Sequence, residues 1–348
     1  MVHPTGTKTN NVTVTLADIA RRCNLSKGSV SRALSMSAET CPLSPATRLR
    51  VLKVSQEMGY RVNSQARALA RGKSMAIGLV YEGSLPILDS VYHEIVDVFS
   101  STLRQHGYHL ELVALDDTDH WEDALMGGRV DGCICLHSLP ERVAKAGAQI
   151  KLPIVLLNGR SELVHGSVSV DDRGGAVLVT EHLLGLGHRR IVMLTDTDRE
   201  MPHYSIAERQ NGFLQSMREA EAIGAQPMCF EGDAAAFADA WHRMSPKPTA
   251  VICYSHVEAI HALRVLRRAG VDVPGQVSLA TFNDVFPVAD LDPALTCVNI
   301  QASGIGRVGG EMLLRLLKSP ASAKAEASQS SVLAPILIER ESTAAAPN

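Results

Sequence analysis

The stretch that decides the fold runs from Thr15 to Leu34 and reads TLADIARRCNLSKGSVSRAL. Its first half places apolar residues at i, i+3, i+4 and i+7, which is the spacing of one face of a short helix. Thr15 is the predicted N-cap, with Asp18 at the third helical position as its capping-box partner. Asn24 breaks the periodicity, and Ser26 suits the N-cap of a second helix. Two short helices joined by so tight a turn predict a helix-turn-helix.

The outward face of the second helix is small, polar or cationic, as a surface that enters the major groove of DNA should be. Its residues are Lys27, Gly28, Ser29, Ser31 and Arg32. An ordinary helical hairpin with a solvated face would show the same pattern, so this motif needs support from the residues around it.

Two further helical segments follow the motif. Ser44 and Pro45 are typical of a cap and first helical position, and Gly59 suits the end of that third helix. The alanine-rich run from Asn63 to Arg71 predicts a fourth helix that is too short to be stable alone in water. From Val14 to Gly72 the sequence thus resembles the DNA-binding headpiece and hinge helix of the lactose repressor (LacI) family.

The matching motifs are VTLADIA, LSKGSVSRAL, LSPATRLRV, MGYRVN and ARALARG. Two features depart from the family: the loop from Met36 to Leu43 is longer than usual, and Val62 stands where proline is common. The resemblance implies a homodimer that binds a near-palindromic double-stranded DNA operator. It assigns DNA contacts to the outward face of the second helix and to Thr15, Leu16, Ser26, Thr47, Arg48, Tyr60, Asn63, Ala66 and Leu69. Leu69 is expected to act as an apolar wedge in the minor groove.

The charge distribution supports this interpretation independently. Ten cationic and three acidic residues lie between Thr13 and Gly72, a net charge of +7. With Lys8, the first 72 residues carry +8 against −3 for the whole chain, which leaves −11 for residues 73–348. A basic end on an acidic body is the electrostatic pattern of a nucleic-acid reader attached to another module.

Length and composition place the chain among cytoplasmic multidomain proteins. At 348 residues and 45% hydrophobic content it can bury a large core in more than one domain. Neither a membrane span nor a signal peptide is expected, and seven scattered cysteines favour reduced thiols. Cys133, Cys135 and the following His137 are interpreted as strand residues rather than metal ligands, because no second cluster completes a tetrahedral set.

From Ser74 onward, short apolar runs alternate with helical periodicity, which predicts doubly wound parallel α/β sheets. The number of strands exceeds one small sheet, so we expect two lobes with a cleft at the strands' C-terminal ends. Predicted strands are 76–81, 109–114, 132–136, 153–157, 167–170, 190–194, 227–230, 250–254, 277–282, 296–300 and 332–339; predicted helices are 89–105, 174–186, 205–219, 257–269 and 305–317. Gly107, Gly187 and Gly270 are expected to end three of these helices. Residues 319–331 are expected to form a loop.

The core also resembles the lactose repressor family, in the motifs VDDRGGAVLVTEHLLGLGHRRIVML, SIAERQNGF and IERESTAAAP. The resemblance implies two periplasmic-binding-protein-like lobes around a small-molecule effector. It places effector contacts at Asp89, Tyr92, Asn158, Ser205, Arg209, Ser255, Asn283 and Asp284. Arg209 is the first candidate, because a guanidinium suits diol or carboxylate oxygens and we expect few carboxylates beside it. The alternative for Arg209 is a surface ion pair with the adjacent Glu208.

Departures from the family leave the effector open. Asn283 stands where a carboxylate is common, Ser255-His256 replaces the usual Asn-Asp, and Ala234 replaces an aromatic residue. A sugar or sugar derivative therefore remains one expectation. His256 would favour an anionic ligand if protonated, although a lone histidine is more often structural.

Two other classes of protein share features with this sequence. Residues Gly304–Gly309 form a G-x-G-x-x-G motif, which a nicotinamide-dependent oxidoreductase would use, but packing glycines explain it better. A solute-binding protein would share the core but not the headpiece. We expect no enzyme activity, no catalytic residues and neither cofactor nor metal. Expected boundaries are a flexible arm over 1–12, a headpiece over 13–62, a hinge over 63–73, a core over 74–340 and a flexible tail over 341–348.

Overall fold

The computed structural model describes residues 14–36, 38–60, 73–83, 89–118, 120–195, 203–318 and 329–347. The chain divides into two compact units, Met1–Ser74 and Met75–Asn348. The predicted arm over residues 1–12 and the alanine-rich run of the predicted hinge helix lie outside the described residues.

The first unit contains the predicted helix-turn-helix. Its helices are α1 (Leu16–Cys23), α2 (Lys27–Ser35) and α3 (Pro45–Glu57). The capping box of Thr15 and Asp18 is present, and the Ser44 hydroxyl accepts from the Thr47 amide at 3.2 Å. The interior is built by apolar side chains from all three helices: Ile19, Ala20, Cys23, Val30, Ala33 and Val51.

The second unit contains two six-stranded sheets, one in each lobe. The N-terminal lobe is built from β1 (Ala76–Glu82), α4 (Ser90–Arg104), β2 (His109–Leu115), α5 (His120–Met126), β3 (Gly132–Leu136), α6 (Glu141–Ile150), β4 (Ile154–Leu157) and β5 (Gly166–Val170). Its strands pair in parallel, in the order β11-β5-β4-β3-β1-β2. The edge strand β11 (Gln329–Leu333) returns from late in the chain.

The C-terminal lobe has the same architecture with one reversed strand. Its elements are α7 (Asp172–Gly185), β6 (Arg190–Thr195), α8 (Ser205–Glu219), a 3₁₀ turn (Glu221–Ile223), β7 (Gln226–Glu231), α9 (Ala234–Arg243), β8 (Ala250–Cys253), α10 (His256–Arg268), β9 (Ser278–Phe282), β10 (Thr296–Asn299) and β12 (Ile336–Ile338). The strand order is β12-β10-β9-β8-β6-β7, and β12 is antiparallel to β10. The long helix α11 (Ala302–Lys318) packs on α4 and therefore belongs to the first lobe.

The chain passes between the lobes three times within the described residues: after β5, after β10 and after β11. The predicted strand over 332–339 was wrong in one respect, because its two halves join different sheets. Gln329–Ser331, predicted as loop, already pairs with β5. A run of alternating residues does not reveal which of two sheets receives it, since both edges accept the same pattern.

Three helices of the core were missed from the sequence: α5, α6 and α9. Each is ten residues or shorter, so it offers at most about three turns over which a periodic pattern can be recognised. The glycines predicted to end helices, Gly107, Gly187 and Gly270, all have positive φ. Within the described residues, no helix has the length and apolar character needed to cross a membrane.

Residues 341–347 are bound to the C-terminal lobe, so the expected flexible tail was wrong. Ser342 is fully buried, and its carbonyl oxygen accepts from the Leu279 amide at 2.8 Å. Further along, the Ala346 amide donates to the Leu186 carbonyl at 2.9 Å. This segment satisfies backbone groups at the start of β9, a role that its alanine-rich composition does not indicate.

The glycines of the Gly304–Gly309 motif serve packing. A Cβ on Gly306 would lie 2.3 Å from the Ile95 carbonyl oxygen, and one on Gly309 would lie 2.2 Å from a Leu157 methyl group. The motif lies inside α11 rather than at a strand-to-helix turn. These glycines allow α11 to approach α4 and β4 closely, as the packing interpretation expected.

Candidate functional site

The first candidate site is the outer face of α2 in the headpiece. Val30 and Ala33 of α2 are fully buried against α1 and α3, which turns the opposite face to solvent. Lys27, Gly28 and Arg32 on that face are exposed, and Ser29 and Ser31 are half-buried. The Ser26 hydroxyl caps the helix by accepting from the Ser29 amide at 3.1 Å. The structure thus leaves two cations and several small polar groups on one open helical face.

The other predicted DNA-contact residues differ in how many contacts their side chains make within the headpiece. Thr15 is exposed but bonds Asp18, and Leu16 and Tyr60 pack against the interior. The Thr47 hydroxyl lies 2.8 Å from that of Ser44, and Arg48 donates to the Met36 carbonyl at 3.1 Å. The remaining three predicted contacts, Asn63, Ala66 and Leu69, lie outside the described residues.

The second candidate site is a cleft of about 380 Å³ in the core. It lies where strands of both sheets end: Asn158 follows β4, Ser255 follows β8 and Asn283 follows β9. This is the edge at which doubly wound folds bind ligands. Seven of the eight predicted effector contacts line it, namely Asp89, Tyr92, Asn158, Ser205, Arg209, Ser255 and Asn283.

Asp284 is the predicted contact that the structure does not bring into the cleft. Its carboxylate lies 2.7 Å from Arg340 Nη2, and both side chains are less than one-fifth exposed. Asn299 Nδ2 approaches the same carboxylate at 3.5 Å. Asp284 therefore ties the late segment of the chain to the C-terminal lobe, and its partner Arg340 is too distant in sequence to be foreseen.

Several lining residues were not predicted as contacts: Val91, His137, His203, Tyr254, His256 and Val257. His137 directly follows β3, and Tyr254 directly follows β8. Their position after a predicted strand is the signal that would have identified them. The histidines make this a cleft of imidazole, amide and hydroxyl groups.

Arg209 forms a buried ion pair, which corrects both expectations for this residue. Its Nε and Nη2 lie 2.8 Å and 2.7 Å from Asp172 Oδ1, and Nη1 donates to the Tyr254 carbonyl at 2.6 Å. The guanidinium lies against the rings of Tyr254 and Phe282. It is neither a surface residue paired with Glu208 nor a cation without a carboxylate neighbour.

Two of the buried acceptors near Arg209 have no hydrogen-bond partner among the described residues. They are Asn283 Oδ1 and Asp172 Oδ2. Leaving a buried acceptor unsatisfied costs free energy, and of the two residues only Asn283 lines the cleft, so a ligand that donates a hydrogen bond to Asn283 Oδ1 would be favoured. The amide at Asn283 thus offers an uncharged acceptor where the family commonly has a carboxylate.

Two of the histidines that line the cleft, His137 and His203, are poor cations. Burial lowers the pKa of His203 to about 4 and also lowers the pKa of His137. Burial raises the pKa of the Cys135 thiol to about 12, as expected for a packed strand residue. Across the part of the chain that the structure describes, no group of three His, Cys, Asp or Glu side chains is arranged to hold a metal ion.

Two protein-family models match the chain. The model for bacterial regulatory proteins of the lacI family matches residues 15–63, and the model for a periplasmic binding protein-like domain matches residues 180–343. The chain is 30% identical over 327 residues to the HTH-type transcriptional repressor CytR of Escherichia coli strain K12, covering 89% of this chain and 91% of that protein. It is 25% identical over 316 residues to the HTH-type transcriptional repressor PurR of Aliivibrio salmonicida, covering 87% and 92%.

Solved structures share the fold at lower identity. The lac repressor dimer bound to operator superposes with a TM-score of 0.78 at 22% identity, over 95% of this chain and 99% of that one. The complex of the transcriptional regulator CelR with cellobiose gives a TM-score of 0.62 at 24% identity, over 94% and 99%. A regulator from Enterococcus faecium with bound ribose gives 0.64 at 19% identity, over 78% and 99%.

Proposed function

Because this chain belongs to the lacI family of DNA-binding transcriptional regulators, we propose that it represses transcription from a near-palindromic operator as a homodimer. A small molecule bound in the core cleft controls that binding. The relatives are regulators rather than enzymes, and we further propose that this protein has no catalytic role and acts beside the chromosome in the cytoplasm.

The observation that carries the proposal is the exposed face of α2. Lys27 and Arg32 project from a helix whose opposite face is fully buried, so the helix can enter a groove without disturbing the interior. Lysine at the start of such a helix reaches the O6 and N7 atoms of guanine, whereas Gly28 tolerates several bases. Thr47 and Arg48 are proposed to contact the phosphate backbone of the DNA. Leu69 of the hinge segment is proposed as the wedge in the minor groove.

The proposed effector is an uncharged polar molecule of the size of a sugar or sugar derivative. Arg209 is already neutralised by Asp172 at 2.7 Å. Burial lowers the pKa of His137 and of His203, so both rings are neutral near pH 7. An anion would therefore find little net positive charge in the cleft. The relatives with bound cellobiose and ribose agree with a hydroxyl-rich ligand.

The most direct test is selection of bound sequences from random double-stranded DNA by the purified full-length protein. We expect enrichment of one two-fold symmetric motif, because a homodimer presents two copies of α2. A panel of neutral and phosphorylated sugars is then titrated against the complex with the selected DNA. Failure to enrich any motif at physiological salt, where the non-specific phosphate contacts are weaker, would overturn the proposal.

A further inference from the structure

His203 joins the two lobes of the core across the cleft. It lies just before α8 in the C-terminal lobe, and its Nε2 is 2.8 Å from the carbonyl oxygen of Asn158, which follows β4 in the N-terminal lobe. A carbonyl oxygen only accepts hydrogen bonds, so Nε2 must carry the proton. The contact is a hydrogen bond from a side chain of the C-terminal lobe to the backbone of the N-terminal lobe.

The other ring nitrogen of His203 extends this link into the cleft. With Nε2 protonated, a neutral imidazole has Nδ1 as acceptor, and the Ser205 hydroxyl donates to it at 2.7 Å. The Ser205 oxygen then accepts from the Tyr254 hydroxyl at 2.8 Å. The hydrogen bonds run in one direction, from Tyr254 through Ser205 and His203 to Asn158. Burial, which lowers the pKa of His203, maintains the neutral form that this chain requires.

A second inter-lobe contact lies beside the first but is more exposed. The Arg160 guanidinium of the N-terminal lobe is 4.5 Å from the centre of the Tyr204 ring and 3.8 Å from the Glu208 carboxylate. Arg160 is 43% exposed and Glu208 34%. Exposed ion pairs of this length contribute little, so the shorter hydrogen bond of the half-buried His203 is the stronger of the two links.

We propose that His203 is a latch that holds the two lobes together and positions Ser205 and Tyr254 for the effector. This inference rests on the proposed function, because lobe movement is what would connect the cleft to the headpiece. A ligand that enters the cleft must keep the link or replace it, and it shifts the lobe arrangement only by its difference in affinity for the two states. The strength of the latch therefore sets the arrangement that the lobes favour without ligand.

Two substitutions separate the latch from simple packing. In His203→Gln the amide nitrogen reaches the position of Nε2 and can still donate to Asn158. In His203→Asn the shorter side chain reaches only the position of Nδ1, next to Ser205. Both variants remain neutral and polar, so they differ chiefly in the link between the lobes.

The readout is amide hydrogen exchange of the full-length protein at the crossing segment, where the Asp171 amide donates to the Leu333 carbonyl. Loss of one hydrogen bond shifts an equilibrium by about threefold to tenfold, so His203→Asn should exchange faster by that factor. His203→Gln should stay close to the wild type. Equal exchange in both variants would mean that His203 only fills space.

A measurement on the wild type covers the case in which a variant does not fold. Nuclear magnetic resonance of ¹⁵N-labelled histidine should report a neutral His203 ring with its proton on Nε2 at pH 7. A proton on Nδ1, or a charged ring, overturns the latch. DNA selection with the same preparation distinguishes the two proposals. If a DNA motif is enriched but the His203 experiments fail, only the latch is refuted. If the His203 experiments succeed but no DNA motif is enriched, only the proposed regulatory function is refuted.

Discussion

The Arg209 guanidinium and the Asp172 carboxylate form a buried ion pair at the cleft, with Nη2 2.7 Å from Oδ1 and side-chain exposures of 5% and 0%. Arginine carries five N–H donors, of which Asp172 and the Tyr254 carbonyl take three. These two partners do not engage the other two N–H groups. Arg209 is thus a structural residue of the cleft as well as its proposed anchor for the effector, and the two roles are not independent.

Breaking this pair should destabilise the core strongly. Asp172→Ala leaves an uncompensated charge among buried rings, and we expect a loss of about 3–5 kcal/mol in the free energy of unfolding. Glu208→Ala, which removes an exposed partner of Arg160 at 3.8 Å, should cost less than about 1 kcal/mol. Urea unfolding of both variants measures the difference, and a similarly small loss in both would show that the buried pair adds nothing to stability.

Acidification should destabilise the protein through His203. Burial lowers the pKa of His203 from 6.5 to about 4, so below pH 6.5 the unfolded chain binds a proton that the folded chain does not. The associated stability is complete above pH 6.5 and declines as the pH falls toward 4, by up to roughly 3 kcal/mol. Unfolding free energies at pH 7, 6 and 5 test this, with His203→Gln as the control that should flatten the slope.

The glycine motif in α11 should behave as a packing device. Gly306→Ala places a Cβ 2.3 Å from the Ile95 carbonyl oxygen, and the forced shift of backbone should cost about 1–3 kcal/mol. Gly185→Ala at the end of α7 meets nothing within 4 Å and should stabilise by roughly 0.4–1 kcal/mol. Thermal unfolding of the two variants measures these changes in stability. If Gly306→Ala were as stable as the wild type, close helix packing would not be the reason for a glycine at this position.

Lys27 should contribute to sequence preference rather than to general affinity. Lys27→Ala is expected to cost roughly 1–3 kcal/mol and to relax the preference at one position of each half-site. Lys53→Ala removes an exposed charge from α3 and serves as the charge-matched control, with a loss that does not depend on sequence. Gel-shift titrations on the selected operator and single-base variants measure both; a uniform loss for Lys27→Ala would reassign it to phosphate.

Leu69 is predicted from sequence resemblance alone to be the minor-groove wedge. Unstacking the central base step costs a few kcal/mol, and the closer contact between protein and DNA that the wedge permits offsets this cost. Leu69→Ala should therefore remove most operator-specific binding. Ala68→Ser, a small change in the same segment at a residue that is not a predicted DNA contact, should retain binding. Footprinting of the selected operator is the measurement, and an unchanged footprint for Leu69→Ala would exclude the hinge mechanism.

Much of the fold could be predicted because its signals are local. The caps at Thr15, Ser26 and Ser44 and the apolar faces of α1 and α2 depend on residues within one or two turns. The buried parallel strands are continuous apolar runs, so most of their boundaries were predicted to within one residue. The cleft followed from the same reasoning, because side chains placed after parallel strands meet at one edge.

The candidate sites could be predicted only in part, for a physical reason. The family resemblance of the SIAERQNGF motif identified Ser205 and Arg209, yet no local signal showed that Asp172, 37 residues earlier, would neutralise Arg209. In the same way, Arg340 withdraws Asp284 from the cleft, and His203 reaches the carbonyl of Asn158 across 45 residues.

The sequence by itself determined the helix-turn-helix, the alternation of strands and helices, and the concentration of positive charge at one end. Hydrophobic periodicity, helix capping and clustered charge each involve residues that are close in sequence. They can therefore be recognised without knowing the tertiary structure. The tertiary structure decided which sheet received β11 and which received β12, which charges became buried pairs, and which imidazole linked the lobes. Those outcomes depend on contacts between segments that are distant in sequence. The free energy of such a contact is set when folding removes both partners from water, so it cannot be deduced from either segment alone.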